Sequence, residues 1–272
     1  MIKKYFIGLA VALTVLMGSL VIAGTPTVSA HELLPKNVIE YLRNNPDASV
    51  DEVKRYIDTN APEFSDKVST DTDTLSLLDR NTSFWDNVFD FLKLGVRHIL
   101  GGPDHILFVL SLLLVFVGIV NMLKYTLTFT LAHSITIILA GTGLLTLSAS
   151  IVEPIIALSI AVVALTSVFL RDNKYLSDLR ARLGIVFFFG LFHGLGFAGL
   201  LQDINVPDNR FISSLVSFNI GIEIGQLIIV ALALPVIYLC RKHKYYPLAV
   251  KIAAVIITVI ALYWFIERSF FQ

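Results

Sequence analysis

The sequence predicts an all-α, polytopic integral membrane protein with six transmembrane helices after an N-terminal signal peptide, and three observations carry that expectation. Hydrophobic residues make up 56% of the 272, only 15% are charged, and mean hydropathy is +0.76; an ordinary soluble domain is less apolar and about 25% charged. Apolar runs long enough to cross a bilayer, about 17 residues or more, recur through the C-terminal two thirds. Lysine and arginine cluster in alternate connections between those runs, as the positive-inside rule requires of a multi-pass chain.

Positions 1–30 carry Lys3 and Lys4, an apolar run from Tyr5 to Ala23 and the small residues Val28-Ser29-Ala30. That order reads as a secretory signal cleaved before His31. The alternative is an uncleaved first membrane helix, since the run is long for a signal core.

Positions 31–83 form a small extracytoplasmic region. From His31 to Asp90 there are 13 Asp and Glu against 6 Lys and Arg, a net charge of -7. A surface of that sign disfavours nucleic acid and concentrates cations, or else serves only as a solvated face. Residues 37–42 and 49–57 read as short helices, the second opened by the capping box Ser49-x-x-Glu52. Pro46 and Pro62 break them, and the polar stretch 63–80 reads as a linker. No repeat and no metal-ligand cluster is evident there.

Positions 84–102 place Asp86, Asp90, Lys93 and Arg97 at helical spacing opposite an apolar face. This describes an amphipathic helix lying along the outer interface. The six-helix membrane domain, 103–272, then follows with spans at 103–120, 125–145, 152–170, 183–201, 211–239 and 247–266. With the mature N-terminus outside, the inner loops hold Lys124, Arg171, Lys174, Arg180, Arg182, Arg241, Lys242 and Lys244, and the outer loops and tail hold only Arg210 and Arg268. Such a chain belongs in the plasma membrane with its lipid-facing surfaces apolar. The one cysteine, Cys240, falls at a helix end and leaves the redox compartment undetermined.

The chemistry concentrates at His98-Ile-Leu-Gly-Gly-Pro-Asp104-His105. Ionisable groups near bilayer depth are costly and usually mark function, and an imidazole and carboxylate set suits borderline-soft divalent cations. Gly101, Gly102 and Pro103 should interrupt the helix. Without that break His98 and His105 would stand about 10 Å apart along the axis, too far for one ion. The motif reads as a metal site at the membrane mouth. Alternatively, Asp104 only caps helix amides and the histidines bond backbone.

Three further features lie inside the spans. Thr126, Thr130, His133 and Ile137 share one helical face, where a lone histidine is more often a packing residue than a ligand. Gly190, Gly194 and Ala198 make a small-xxx-small ridge beside His193. Asn219, Glu223 and Gln226 make a polar stripe, with Glu223 about 18 Å below the outer edge. An unpaired carboxylate there needs a cation or a proton, and His193 is its natural partner. Glu153-Pro154 reads as a helix-start carboxylate on the outer surface.

Taken together, His98-x5-Asp104-His105, Thr130-Leu-Ala-His133-Ser134, Phe192-His193-Gly194 and Asn219-x3-Glu223 resemble the HupE/UreJ membrane proteins from about Phe91 onward. The resemblance implies nickel or cobalt entry, with His98, Asp104, His105 and His193 as metal-handling residues. The better-known permeases continue Phe-His-Gly with a further histidine and a glutamate, where this chain has Leu195-Gly196-Phe197-Ala198-Gly199, and they lack the acidic ectodomain.

The leading expectation is therefore a permease for a divalent cation, nickel or cobalt, with His133 and Glu223 completing the route. Only neutral imidazoles bind metal, so uptake should fall as the medium is acidified. A second expectation is an intramembrane zinc-dependent hydrolase or acyl-transfer enzyme, with Glu223 as general base. A third is a noncatalytic accessory subunit that docks a protein partner through the ectodomain.

Overall fold

The computed structural model of the chain describes residues 36–45, 48–61, 83–114, 118–145, 147–169, 178–204 and 210–271. The expected signal peptide and the linker 63–80 lie outside the described residues. Among the described residues all regular structure is helical: α1 Lys36–Asn44, α2 Val50–Asn60, α3 Phe84–Gly101, α4 Pro103–Leu113, α5 Ile119–Gly141, α6 Ala149–Val168, α7 Leu179–Ile204, α8 Phe211–Cys240 and α9 Tyr246–Phe270. Five of them are long and apolar enough to cross a membrane, and six spans result if α3 and α4 count as one broken span.

The first two helices form a hairpin of their own. Ser49 caps α2, its hydroxyl accepting from the Glu52 amide while Glu52 accepts from the Ser49 N–H at 2.8 Å. Val38, Val53 and Ile57 are buried and Tyr41 stacks on Tyr56 with ring centroids 4.0 Å apart. Asn45 and Asn60 each donate to the carbonyl four residues back, of Tyr41 and Tyr56. The two helices thus repeat a Val-x-x-Tyr-x-x-x-Asn pattern, a repeat that reading the region as unique sequence missed.

Ser83 caps α3, accepting from the Asp86 amide. The expected interfacial helix proves to be part of the bundle. Asn87 donates to Ser214 at 2.9 Å, Gly95 lies against Phe218, Gly221 and Ile222, and Gly225 lies against Ile99. These contacts advance together along both chains, so α3 runs parallel to α8 and enters the bundle with it instead of lying across its edge. Glycine on glycine allows this approach because neither backbone carries a Cβ at the contact. The expected first span 103–120 is corrected too. Its helix stops at Leu113, Gly118 takes a φ of 91° that favours glycine, and Ile119 and Val120 begin α5. Between α3 and α4 the axis bends by 69°.

A second parallel pair is α5 with α7. Cβ atoms built on Gly190 and Gly194 would meet Ala132 with Phe129, and Thr136 with His133. The small-residue ridge expected on α7 thus has α5 as its partner. Lys124, expected in an inner loop, lies within α5. Helix α6 packs along α9 and touches α4 and α7, which closes the bundle around Phe108, Phe129, Phe197 and Phe218.

Candidate metal centre

The break between α3 and α4 builds the site. Gly102 donates its N–H to the His98 carbonyl at 3.0 Å and accepts from Ile106 at 3.1 Å, so one residue closes α3 and opens α4. Pro103 occupies the first position of α4, where no intrahelical N–H is needed. A Cβ on Gly102 would stand 2.7 Å from His105 Nδ1 and 2.8 Å from the His98 carbonyl oxygen. The glycine is therefore what lets the two imidazoles close on one another, with ring centroids 4.5 Å apart.

His133 of α5 completes the group. Its ring centroid is 5.9 Å from that of His98 and 6.3 Å from that of His105. One nitrogen from each of the three rings lies within 4.8 Å of the others, close enough for a single ion to be shared after side-chain adjustment. Three helices contribute one imidazole each, and imidazole suits nickel, cobalt and zinc alike.

The surroundings are buried and largely aromatic. His105, His133 and His193 are buried, and aromatic rings wall the group. Phe197 lies 4.6 Å from His98 and stacks at 4.2 Å on Phe218, while Phe129 stacks on His133 at 5.8 Å. His193 is the fourth imidazole nearby, 5.1 Å from His105. Its Nε2 is 3.0 Å from the Ser159 hydroxyl of α6, which fixes the ring from behind. Both His133 and His193 sit roughly 20 Å along the axis from the start of their parallel helices, at 1.5 Å per residue. The imidazoles are thus packed inside the bundle, along the middle stretches of α5 and α7.

Both carboxylates expected among the ligands are placed elsewhere. Asp104 faces α9, where Arg268 Nη2 stands 3.2 Å from Oδ1 and 3.1 Å from Oδ2. Arg268, expected in the outer tail, belongs to the last turn of α9 and is largely buried. Glu223, expected on His193, accepts instead from Thr126 at 2.9 Å and Thr130 at 2.7 Å, with Gln226 3.3 Å from the same Thr130 hydroxyl. The reason is rotational: the face of α8 that carries Glu223 looks at the threonine face of α5, while Phe218 of α8 looks at the histidines. Glu153, expected on the outer surface, is buried, and its backbone carbonyl is the third acceptor around Arg268.

Sequence reading missed Ser159 and Arg268. Ser159 could have been singled out as a polar residue in the apolar run Ile155 to Leu165. Nothing local marked Arg268, because a cation near the end of a final span ordinarily reaches the interface.

A family profile described as HupE / UreJ protein matches residues 74–268, which takes in α3 to α8 and most of α9 and leaves out the α1–α2 hairpin. No curated protein and no solved structure matches the chain.

Proposed function

The chain belongs to the HupE/UreJ family, and we propose that it is a plasma-membrane permease for a divalent transition-metal cation, nickel or cobalt, whose deep binding site is His98, His105 and His133. The observation that carries this reading is the convergence of three imidazole nitrogens within 4.8 Å, from three different helices. The family association with nickel and cobalt supports the choice of cargo.

The chemistry follows from the donor set. Neutral imidazoles replace part of the cation's water shell without adding charge, so the ion is held by directional bonds and released by small rotations of the rings. The aromatic wall excludes water and raises the cost of any cation that the imidazoles do not bind. His193, held by Ser159, stands beside His105 as the next imidazole along the route. The acidic ectodomain raises the local cation concentration outside. The extracytoplasmic placing of the N-terminus rests on the lysines and arginines of the connections, as the positive-inside rule reads them.

The compact three-imidazole group also suits a catalytic zinc with an open fourth position. That second reading assigns Glu223 as general base, and Glu223 bonds Thr126 and Thr130 instead of facing the group. The permease is the better fit. Metal accumulation in cells expressing wild type or His105→Ala tests it. Loss of nickel or cobalt accumulation in the variant is expected; equal accumulation of nickel, cobalt, zinc and manganese by both would remove the reading. Stoichiometric tightly bound zinc with turnover of a lipid or peptide would favour the hydrolase.

A further inference from the structure

Arg268 reaches back into the bundle from the end of α9 and places one guanidinium nitrogen on both oxygens of Asp104. Its other terminal nitrogen lies 3.5 Å from the Glu153 carbonyl, and its guanidinium carbon is 5.3 Å from the Trp264 ring centroid. The two side chains are only 13% and 5% exposed. A buried ion pair adds little net stability, because desolvation offsets the attraction, yet removing one partner leaves a stranded charge. A pair of this kind is better suited to exchange than to bracing.

What it would exchange with is fixed by position. Asp104 adjoins His105 in sequence at the start of α4, and His105 is one of the three clustered imidazoles. A divalent cation at three neutral ligands brings two positive charges to a low-dielectric site, and Asp104, one residue away along α4 and held by Arg268, must turn from α9 to reach it. We propose that Arg268 is a tethered competitor for Asp104, holding the carboxylate while the site is empty and yielding it to the divalent cation as that cation binds His98, His105 and His133. This rests on the permease reading.

The exchange keeps Asp104 paired with a cation at both ends, at the cost of leaving the Arg268 guanidinium on the Glu153 carbonyl and the Trp264 ring. It also sets the affinity. The cation must displace Arg268 to gain Asp104, so binding is weaker than the ligand set alone would allow. The guanidinium's return to Asp104 favours release. Arg268 is thus a positioning residue that trades affinity for turnover.

Nickel and cobalt titrations of the purified full-length protein, with uptake measured in cells, test this. Arg268→Gln should bind the metals about tenfold more tightly, a coupling of ordinary size between sites, and uptake should show a lower KM with a lower maximal rate. Arg268→Lys, whose ammonium cannot span both oxygens as a guanidinium does, should bind about two- to threefold more tightly, on the same scale of coupling. The gain should vanish in Asp104→Asn/Arg268→Gln. A merely structural arginine would give weaker binding or none of these shifts, so an Arg268→Gln protein that binds no more tightly than wild type overturns the proposal, as does a gain that survives Asp104→Asn. Should Arg268→Gln fail to fold, Arg268→Lys decides by the same sign. Loss of binding in His105→Ala without a gain in the Arg268 variants would sink this proposal alone. Unchanged binding in His105→Ala would sink the permease site as well.

Discussion

Gly95 on α3 and Gly221 on α8 meet backbone to backbone. A Cβ on Gly95 would collide with the Phe218 carbonyl oxygen and stand 3.0 Å from the Gly221 Cα, and a Cβ on Gly221 would collide with the Leu92 carbonyl oxygen. This contact brings the histidine end of α3 alongside Phe218, so the three-histidine group depends on it although neither glycine touches an imidazole.

Gly95→Ala should therefore destabilise the protein by about 1–3 kcal/mol, the usual cost of overpacking, and weaken metal binding with it. Gly184→Ala is the control, because a Cβ there meets nothing within 4 Å; it should be neutral or stabilise by about 0.5–1 kcal/mol through helix propensity. Thermal unfolding in detergent reads both. An equally stable Gly95→Ala protein would mean that the two helices can part without cost.

His133→Ala should abolish nickel or cobalt binding as fully as His98→Ala or His105→Ala, since all three rings belong to one group. Ser159→Ala should act more gently. It removes the 3.0 Å contact to His193, with a stability cost near the ~0.6 kcal/mol average for an interhelical hydrogen bond and a few-fold loss of affinity. Equilibrium metal titration separates the cases, and a His133→Ala protein with wild-type affinity would reduce the centre to two imidazoles.

For Glu223→Gln, pairing with His193 would predict a stable but inactive protein, whereas the observed partners predict a milder result. The glutamine amide oxygen can still accept from Thr126 or Thr130, but not from both through equivalent oxygens. Stability should fall by less than about 1.7 kcal/mol, the upper value measured for such bonds, and the three-histidine group should keep its metal affinity. Complete loss of binding in Glu223→Gln would show that the carboxylate joins the ligand set when metal is present.

The α1–α2 hairpin should carry a pH dependence of its own. The Ser49 backbone N–H, and then the Ser49 hydroxyl, hold Glu52 below its ordinary value of 4.5. A carboxylate lowered by folding contributes stability that is present above the unfolded value and is lost as pH falls through the folded one. Cα chemical shifts across residues 50–53 should stay helical above pH 4.5 and drift toward coil on further acidification. Glu52→Gln should flatten that acid transition; an identical transition in the variant would place its cause in another carboxylate.

Much of the fold was legible because it is written locally. Hydropathy over a bilayer length, the Ser49-x-x-Glu52 box and the Gly101-Gly102-Pro103 break each act within a few residues of themselves, and, the first span apart, each formed where expected. The break was expected to fold His98 back toward Asp104 and His105; it meets His105, while Asp104 turns to Arg268. The enclosure of the site within the bundle was not legible in the same way. Amphipathic periodicity says that α3 has a covered face, and it cannot say whether lipid headgroups or α8 cover it.

The sequence by itself determined an all-helical membrane protein with His133 and His193 inside its spans, because burial of apolar length and avoidance of unsatisfied backbone leave little else. Only the tertiary structure decided which of those histidines meet, and where the two carboxylates go. Asp104 pairs with a residue 164 positions away and Glu223 with one 97 away. Such pairings depend on the rotation and axial register of whole helices, set here by glycine contacts between α3 and α8 and between α5 and α7. A rotation of a third of a turn on either pair would change every polar partner while leaving the hydropathy of the chain unaltered.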